Sequence, residues 1–223
     1  MVVAGLYSGG KDSTLALHRI IGTGIEVGLL LTIESKNRNS YMFHYPNTNW
    51  TALQAEALGI KHKFVQTEGK KEEELKDLEK ALVDNGVTAL ITGATYSKYQ
   101  GDRIADMCNK LGIENLAPLW HIEPLDELRE LDRDFDAIVT SVSAEGLDKS
   151  FLGERIDQGM IDRLVLLNKR YGINLLFEGG EAESFVLDAP LFRKWIKVNK
   201  SHIEWNGTSG AYFIDDAELV GKK

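Results

Sequence analysis

Val2-Val3-Ala4-Gly5-Leu6-Tyr7-Ser8-Gly9-Gly10-Lys11-Asp12-Ser13 decides how the rest of the chain is read. Val2–Tyr7 is a short apolar run with the texture of a buried strand, and it breaks into a Ser-Gly-Gly turn. From Asp12 to Gly24 the apolar residues Leu17, Ile20 and Ile21 recur at helical spacing. The stretch is therefore strand, glycine turn, helix. Gly9 and Gly10 allow a ligand to approach the backbone closely. The helix that follows begins with amides lacking internal partners, and phosphate oxygens accept such hydrogen bonds. Ser8 and Ser13 add hydroxyls and Lys11 adds a positive charge. Asp12 is repulsive beside phosphate unless a cation lies between them, and Mg²⁺ is the simplest such bridge.

The loop comes close to another motif. Gly5 to Lys11 fits a Walker A pattern, but the Ser or Thr that this motif requires next is replaced by Asp12. That departure counts against a Walker-type phosphate loop.

Strand and helix signals continue to alternate outward from the loop. Strands are expected at Glu26–Glu34, Lys61–Thr67 and Val87–Thr92, and helices at Asn49–Leu58, Glu72–Asn85 and Asp102–Leu111. Such β-α-β repetition makes a parallel sheet, and ligands of open parallel sheets sit beyond the carboxyl ends of the strands. The texture changes after Pro118-Leu119-Trp120. Helices are expected near Pro124–Leu131 and Arg155–Tyr171, and strands at Phe135–Ser143, Trp195–Trp205 and Ala211–Ile214. The expected division is a nucleotide-binding α/β domain over residues 1–120 and a smaller α/β substrate domain over 121–223.

Composition bounds the function. The chain has 223 residues, 43% apolar and 27% charged, with formal net charge −8. That balance disfavours direct binding to a nucleic-acid backbone, which needs a basic surface. No apolar run is long enough to span a bilayer. A single cysteine, Cys108, provides no internal disulfide and suits a reducing, cytoplasmic setting. The N-terminal residues have the character of a first strand rather than a signal peptide. His44, His62, His121 and His202 show no metal-ligand spacing with Cys108. His18 has the place of a structural helix residue, and Trp120, Trp195 and Trp205 those of core residues. Tyr96 and Tyr99 flank the expected ligand edge.

Ser-Gly-Gly-Lys-Asp-Ser after a strand resembles the pyrophosphate loop of N-type ATP pyrophosphatases. Three further stretches narrow that resemblance: Gly93-Ala94-Thr95-Tyr96 through Gly101-Asp102-Arg103, Leu116-Ala117-Pro118-Leu119-Trp120, and Glu178-Gly179-Gly180-Glu181-Ala182-Glu183-Ser184. With Glu145-Gly146-Leu147, Leu152-Gly153 and Leu187–Phe192, they are similar in order and spacing to the diphthine–ammonia ligase family, over residues 2 to about 195. The resemblance implies a five-stranded parallel sheet of Rossmann-like type with helices on both faces. It also implies ATP and Mg²⁺ as reactants, ammonia as nitrogen donor, and the modified histidine diphthine of translation elongation factor 2 as protein substrate. The carboxylate of diphthine would be adenylated and then amidated, releasing AMP and pyrophosphate.

The site residues implied are Lys11, Asp12 and Glu183 for catalysis, with Asp12 also holding the metal. Ser8, Gly9, Gly10, Lys11, Asp12, Ser13, Gly93 and Arg103 would bind the nucleotide. Glu178, Gly179, Gly180, Glu181, Glu183 and Ser184 would form an acidic substrate loop, suited to a cationic head group or to ammonium. The chain departs from the family pattern at Ala94, usually acidic; Gly101, usually arginine; Ala182, usually aromatic; and Ser184, usually threonine. An arginine contact from position 101 is thereby lost. Two rival functions stand beside this one: another pyrophosphate-loop ligase or thiolase acting on RNA, and an ATP-binding sensor without catalysis. The acidic balance counts against the first, and AMP formation distinguishes the second.

Overall fold

A computed structural model describes residues 2–35, 46–68, 73–95 and 98–222 of the chain. Five parallel strands form the first sheet: β1 (Val2–Leu6), β2 (Leu29–Ser35), β3 (Lys61–Thr67), β4 (Val87–Ile91) and β5 (Glu114–Leu116). Their spatial order is β3-β2-β1-β4-β5, so the chain reverses its direction of winding between β1 and β4. Helices α1 (Lys11–Gly22), α2 (Thr51–Leu58), α3 (Glu73–Asp84) and α4 (Lys98–Leu111) supply the crossovers. β1 and β2 are apolar and almost wholly buried, as befits central parallel strands covered on both faces.

The second sheet is antiparallel. α5 (Pro124–Asp134), β6 (Asp136–Val142), α6 (Gln158–Tyr171), β7 (Ala182–Asp188), β8 (Lys194–Trp205) and β9 (Gly210–Gly221) follow in the chain, with strand order β7-β6-β9-β8.

The structure differs from the sequence expectation at identifiable points. β5 has three residues, too few to show a periodicity, and exists because Glu114–Leu116 pair with Ala89–Ile91. β7 begins inside the stretch that resembles a glycine-rich acidic turn, because Ala182 and Phe185 face the core. Trp120 is 39% exposed, against a core expectation, and its ring stacks on His121. Position 44 and the side chains of 96 and 99 lie outside the described residues.

Two apolar clusters cover the faces of the first sheet. Leu29, Leu31, Ile33, Leu78, Leu82, Leu90, Met107 and Cys108 fill one, where burial also raises the Cys108 thiol pKa. The other joins Val3, Tyr7, Leu15, Leu17 and Leu30 to Leu128, Phe135, Phe185 and Val186 of the second sheet and its helix. The two sheets thus share one core. His18 reinforces the junction: its Nδ1 lies 2.8 Å from the Thr14 carbonyl and its Nε2 accepts from the Leu191 amide at 3.1 Å. Burial lowers its pKa, keeping the ring neutral for both bonds.

Candidate nucleotide and acyl-transfer site

The loop after β1 turns the chain from strand into helix through Ser8, Gly9 and Gly10. Tyr7 stays in the sheet through its amide, which donates to the Leu31 carbonyl at 2.8 Å, and its hydroxyl meets that of Thr14 at 3.1 Å. The chain then turns at Gly9, which has φ 81°, and a Cβ there would stand 2.9 Å from Thr51 Cγ2. Both facts require glycine. Gly10 is the N-cap of α1 and carries no side-chain cap of its own; the Lys11 amide is taken by Ser184 Oγ, so an external acceptor would meet the amides that follow it. Gly93, at the end of β4, touches the start of α1: a Cβ there would lie 2.7 Å from Asp12 C and Ser13 N. The Ser8 and Ser13 hydroxyls are 3.1 Å apart across the loop.

The second sheet closes onto this loop through β7. The Val186 amide donates to the Gly9 carbonyl at 3.0 Å, and the Lys11 amide donates to Ser184 Oγ at 3.1 Å. Gln54 of α2, fully buried, donates from Nε2 to the Gly9 carbonyl at 2.9 Å and the Val186 carbonyl at 2.7 Å. Ser184 therefore braces the loop in this arrangement. Its hydroxyl is the feature shared with the threonine usual at that position.

Lys11 is 1% exposed. Its Nζ donates to Asp12 Oδ1 and, at 2.9 Å, to the Leu176 carbonyl; Glu127 Oε1 lies 3.5 Å away and the Phe177 ring centroid 5.7 Å away. Burial disfavours the ammonium, but Asp12, Glu127 and Glu178 outweigh it, and the Lys11 pKa is raised. Glu183, on β7 and half-buried, has its pKa pushed up to about 8, by burial first and then by Asp12 and Glu178, with Lys11 opposing. Glu178 accepts from the Thr95 hydroxyl at the end of β4. Glu181 is occupied otherwise: its carboxylate accepts from the Asn174 amide at 2.9 Å and the Gly179 amide at 2.8 Å, which shapes the 174–181 turn. Gly180 in that turn has φ 78°.

The structure thus gathers Ser8–Ser13, Gly93, Glu178, Glu183 and Ser184 at the carboxyl edge of β1 and β4. Gly179, Gly180 and Glu181 support the turn beside them. Arg103 lies half-buried in the first half of α4, which leaves the same edge.

Glu127 and Gln54 belong to this neighbourhood without having been expected from the sequence, whereas Thr95 lies in the stretch from Gly93 that the sequence singles out. Glu127 and Gln54 each stand on a helix face that packing, not local pattern, turns inward. Among the described residues no group of three or more His, Cys, Asp or Glu is placed to hold a metal. A lone carboxylate such as Asp12 suits a cation whose other ligands are phosphate oxygens and water. No helix among those residues is long and apolar enough to cross a membrane.

The chain is similar to known proteins along nearly its whole length. A family described as diphthamide synthase N-terminal domain matches residues 1–115, and one described as diphthamide synthase C-terminal domain matches 123–220. A diphthine–ammonia ligase of Homo sapiens is 33% identical over 91% of this chain and 85% of its own length. Those of Bos taurus and Danio rerio are 34% identical, over 91% and 85%, and 32% identical, over 89% and 87%. A crystal structure titled as a predicted subunit of a tRNA methyltransferase, from Methanocaldococcus jannaschii, overlays with TM-score 0.45 at 20% identity, covering 85% of this chain and 98% of that one. Two family matches spanning both sheets, and relatives of this similarity along nearly the whole chain, identify the protein as an enzyme of the ligase class that belongs to the diphthamide synthase family.

Proposed function

We propose that the protein amidates the diphthine carboxylate of translation elongation factor 2 with ammonia, consuming ATP and releasing AMP and pyrophosphate. The observation that supports this is the hydrogen-bonded seam between the glycine loop and β7, which brings the glycine loop and the segment carrying Glu178 and Glu183 to one edge.

A carboxylate is a poor electrophile. Transfer of the adenylyl group to its oxygen turns that oxygen into part of a good leaving group, and ammonia then displaces AMP. The chain's own residues supply position and charge. Gly9, Gly10, Ser8, Ser13 and the first amides of α1 would receive the phosphates, with Gly93 shaping the floor and Arg103 nearby on α4. Asp12 would hold Mg²⁺, which when bound would supply positive charge beside the phosphates. Lys11 sits between Asp12 and the 176–178 segment, where it can steady negative charge passing from one half of the site to the other. Glu178 and Glu183, kept in place by Thr95 and by the Glu181-braced turn, would face the cationic group of diphthine or the incoming ammonium. Residues 1–120 would hold the nucleotide and 121–223 the acyl substrate, in the cytoplasm.

The test is to incubate the protein with ATP, Mg²⁺, ammonium and elongation factor 2 bearing diphthine. AMP, pyrophosphate and the amide should form together. Glu183→Gln should keep ATP affinity and slow single-turnover amidation between a few-fold and about thirtyfold, at about 1.4 kcal/mol per decade. Loss of ATP affinity with undisturbed amidation at saturating ATP would move Glu183 to the nucleotide. ATP binding without AMP release would favour a sensor.

A further inference from the structure

α5 is amphipathic. Asp126, Arg129, Arg133 and Asp134 face water, while Glu127, Leu128 and Leu131 are buried. A leucine at 127 would satisfy that pattern. Instead the chain places a carboxylate there at 0% exposure, and neither oxygen has a hydrogen-bond partner. Burial of such a group is costly, and here it pushes the carboxyl pKa up. The neighbour that offsets this cost is the Lys11 ammonium, 3.5 Å from Oε1. At that separation the two groups make a long contact, in which Lys11 opposes the rise of the Glu127 pKa while Asp12 adds to it.

Lys11 is nearly as buried and is gripped from three directions: Asp12 on its own helix, the Leu176 carbonyl at 2.9 Å, and Glu127 from α5. Asp12 alone would draw the ammonium along the phosphate loop. The Leu176 carbonyl draws it instead toward the segment that carries Glu178, and Glu127 adds a further acceptor from α5.

We propose that Glu127 is a positioning residue for the ligase reaction: from α5 it holds the Lys11 ammonium at the junction of the glycine loop and the 176–184 segment. The catalytic part of this proposal rests on the amidation chemistry above, whereas the hold on Lys11 does not. Glu127 touches neither ATP nor diphthine in this scheme, and acts only through where Lys11 stands.

Two measurements separate these layers. The first uses nucleotide-free, isotope-labelled protein and follows lysine side-chain ammonium resonances by NMR. The Lys11 signal, identified by its absence in Lys11→Met, should be protected from exchange in the parent and should shift or broaden in Glu127→Gln. An unchanged Lys11 signal overturns the proposal without reference to any reaction. The second is steady-state AMP formation. Glu127→Gln should lower kcat by roughly tenfold to a hundredfold, as for a misplaced catalytic group, with KM for ATP changed less than about threefold. Glu127→Asp, which keeps the charge, should recover part of the loss, and in the Lys11→Met background Glu127→Gln should cause no further loss. A kcat equal to the parent, an equal fold-loss in the Lys11→Met background, or no recovery by Glu127→Asp each overturns it.

If Glu127→Gln folds poorly, Lys11→Met combined with Glu127→Met decides the matter, because it removes both charges. That double variant should be more stable than Glu127→Met alone; equal instability would mean that the two side chains are not coupled. A parent enzyme that releases no AMP would sink the amidation chemistry, while the NMR arm would still decide whether Glu127 holds Lys11.

Discussion

At the scale of single residues, the site is a contest between burial and charge. Lys11 meets Asp12, Glu127 and Glu178, and Glu183 completes the acidic surround. Lys11→Ala should cut AMP formation by on the order of 10²–10³, as when a charge-stabilising donor is lost. It should also destabilise the fold, because Glu127 loses its counter-charge. Since the Glu127 pKa is already raised, uptake of a proton softens that loss, toward the lower end of about 3–5 kcal/mol. Urea denaturation and AMP release on the same variant check both effects. Glu183 makes a pH prediction. Its carboxyl shifts from an ordinary 4.5 to about 8, so between those values the folded chain keeps a proton that the unfolded chain has released. Unfolding free energy then falls as pH rises across that window, is fully retained below it, and levels off above about 8. Glu183→Gln should flatten that slope in part, Glu127 contributing the same sign. A slope identical to the parent's would mean that Glu183 titrates normally.

At the scale of elements, the β8–β9 hairpin is long but barely joined to its own sheet. β9 meets β6 only at Ser141↔Ala211 and Val142↔Gly210, whereas it pairs with β8 from one end to the other. Its anchor comes from the first half of the chain. Asn47, left-handed at φ 71° and 6% exposed, donates to the Tyr212 carbonyl at 2.9 Å and accepts from the Ile214 amide at 2.7 Å. Trp50 Nε1 donates to the Ile214 carbonyl at 2.8 Å. Asn47→Ala would strip two buried backbone groups of partners and strain a position that asparagine tolerates, costing about 2–4 kcal/mol. Asn47→Asp, which keeps the acceptor for the Ile214 amide, should lose less. Chemical denaturation of the pair tests this, and equal losses would mean that the bond from the Ile214 amide contributes nothing.

At the scale of the molecule, the shared core governs what can be separated. Leu15, Leu17 and Leu30 pack in one cluster with Leu128, Phe135 and Phe185. A fragment ending near residue 120 would expose that face, at about 25 cal/mol for each Å² of apolar surface left in water. Expressed alone it should aggregate or bind a hydrophobic dye, and addition of the remaining piece should restore a native complex. A monomeric fragment with a sharp unfolding transition would show that the seam at Gly9, Lys11, Ser184 and Val186 is a docking contact and not a condition of folding.

Much of the first sheet was legible because local rules suffice there. Apolar runs bounded by glycine, and helices closed by Gly59, Gly86 and Gly112, announce β-α-β units whatever lies beside them. The Ser8–Ser13 loop was equally plain, since two glycines, a lysine and an aspartate between strand and helix have a restricted set of physical uses. β5 and the start of β7 were not legible, because three residues beside β4 and a run entering from a glycine turn become strands through partners distant in the chain. The same limit hid Glu127. Its glutamate looks like one more charge on a helix rich in Asp126, Arg129 and Glu130, until the packing of α5 turns it inward onto Lys11. By itself, then, the sequence determined the glycine loop between strand and helix, the parallel sheet and the family, because periodicity and turn chemistry act over a few residues. Only the tertiary structure decided which charges are buried together. Desolvation and ion pairing depend on distance in space, and the sequence separation between Lys11 and Glu127, or between Gly9 and Val186, carries no information about that distance.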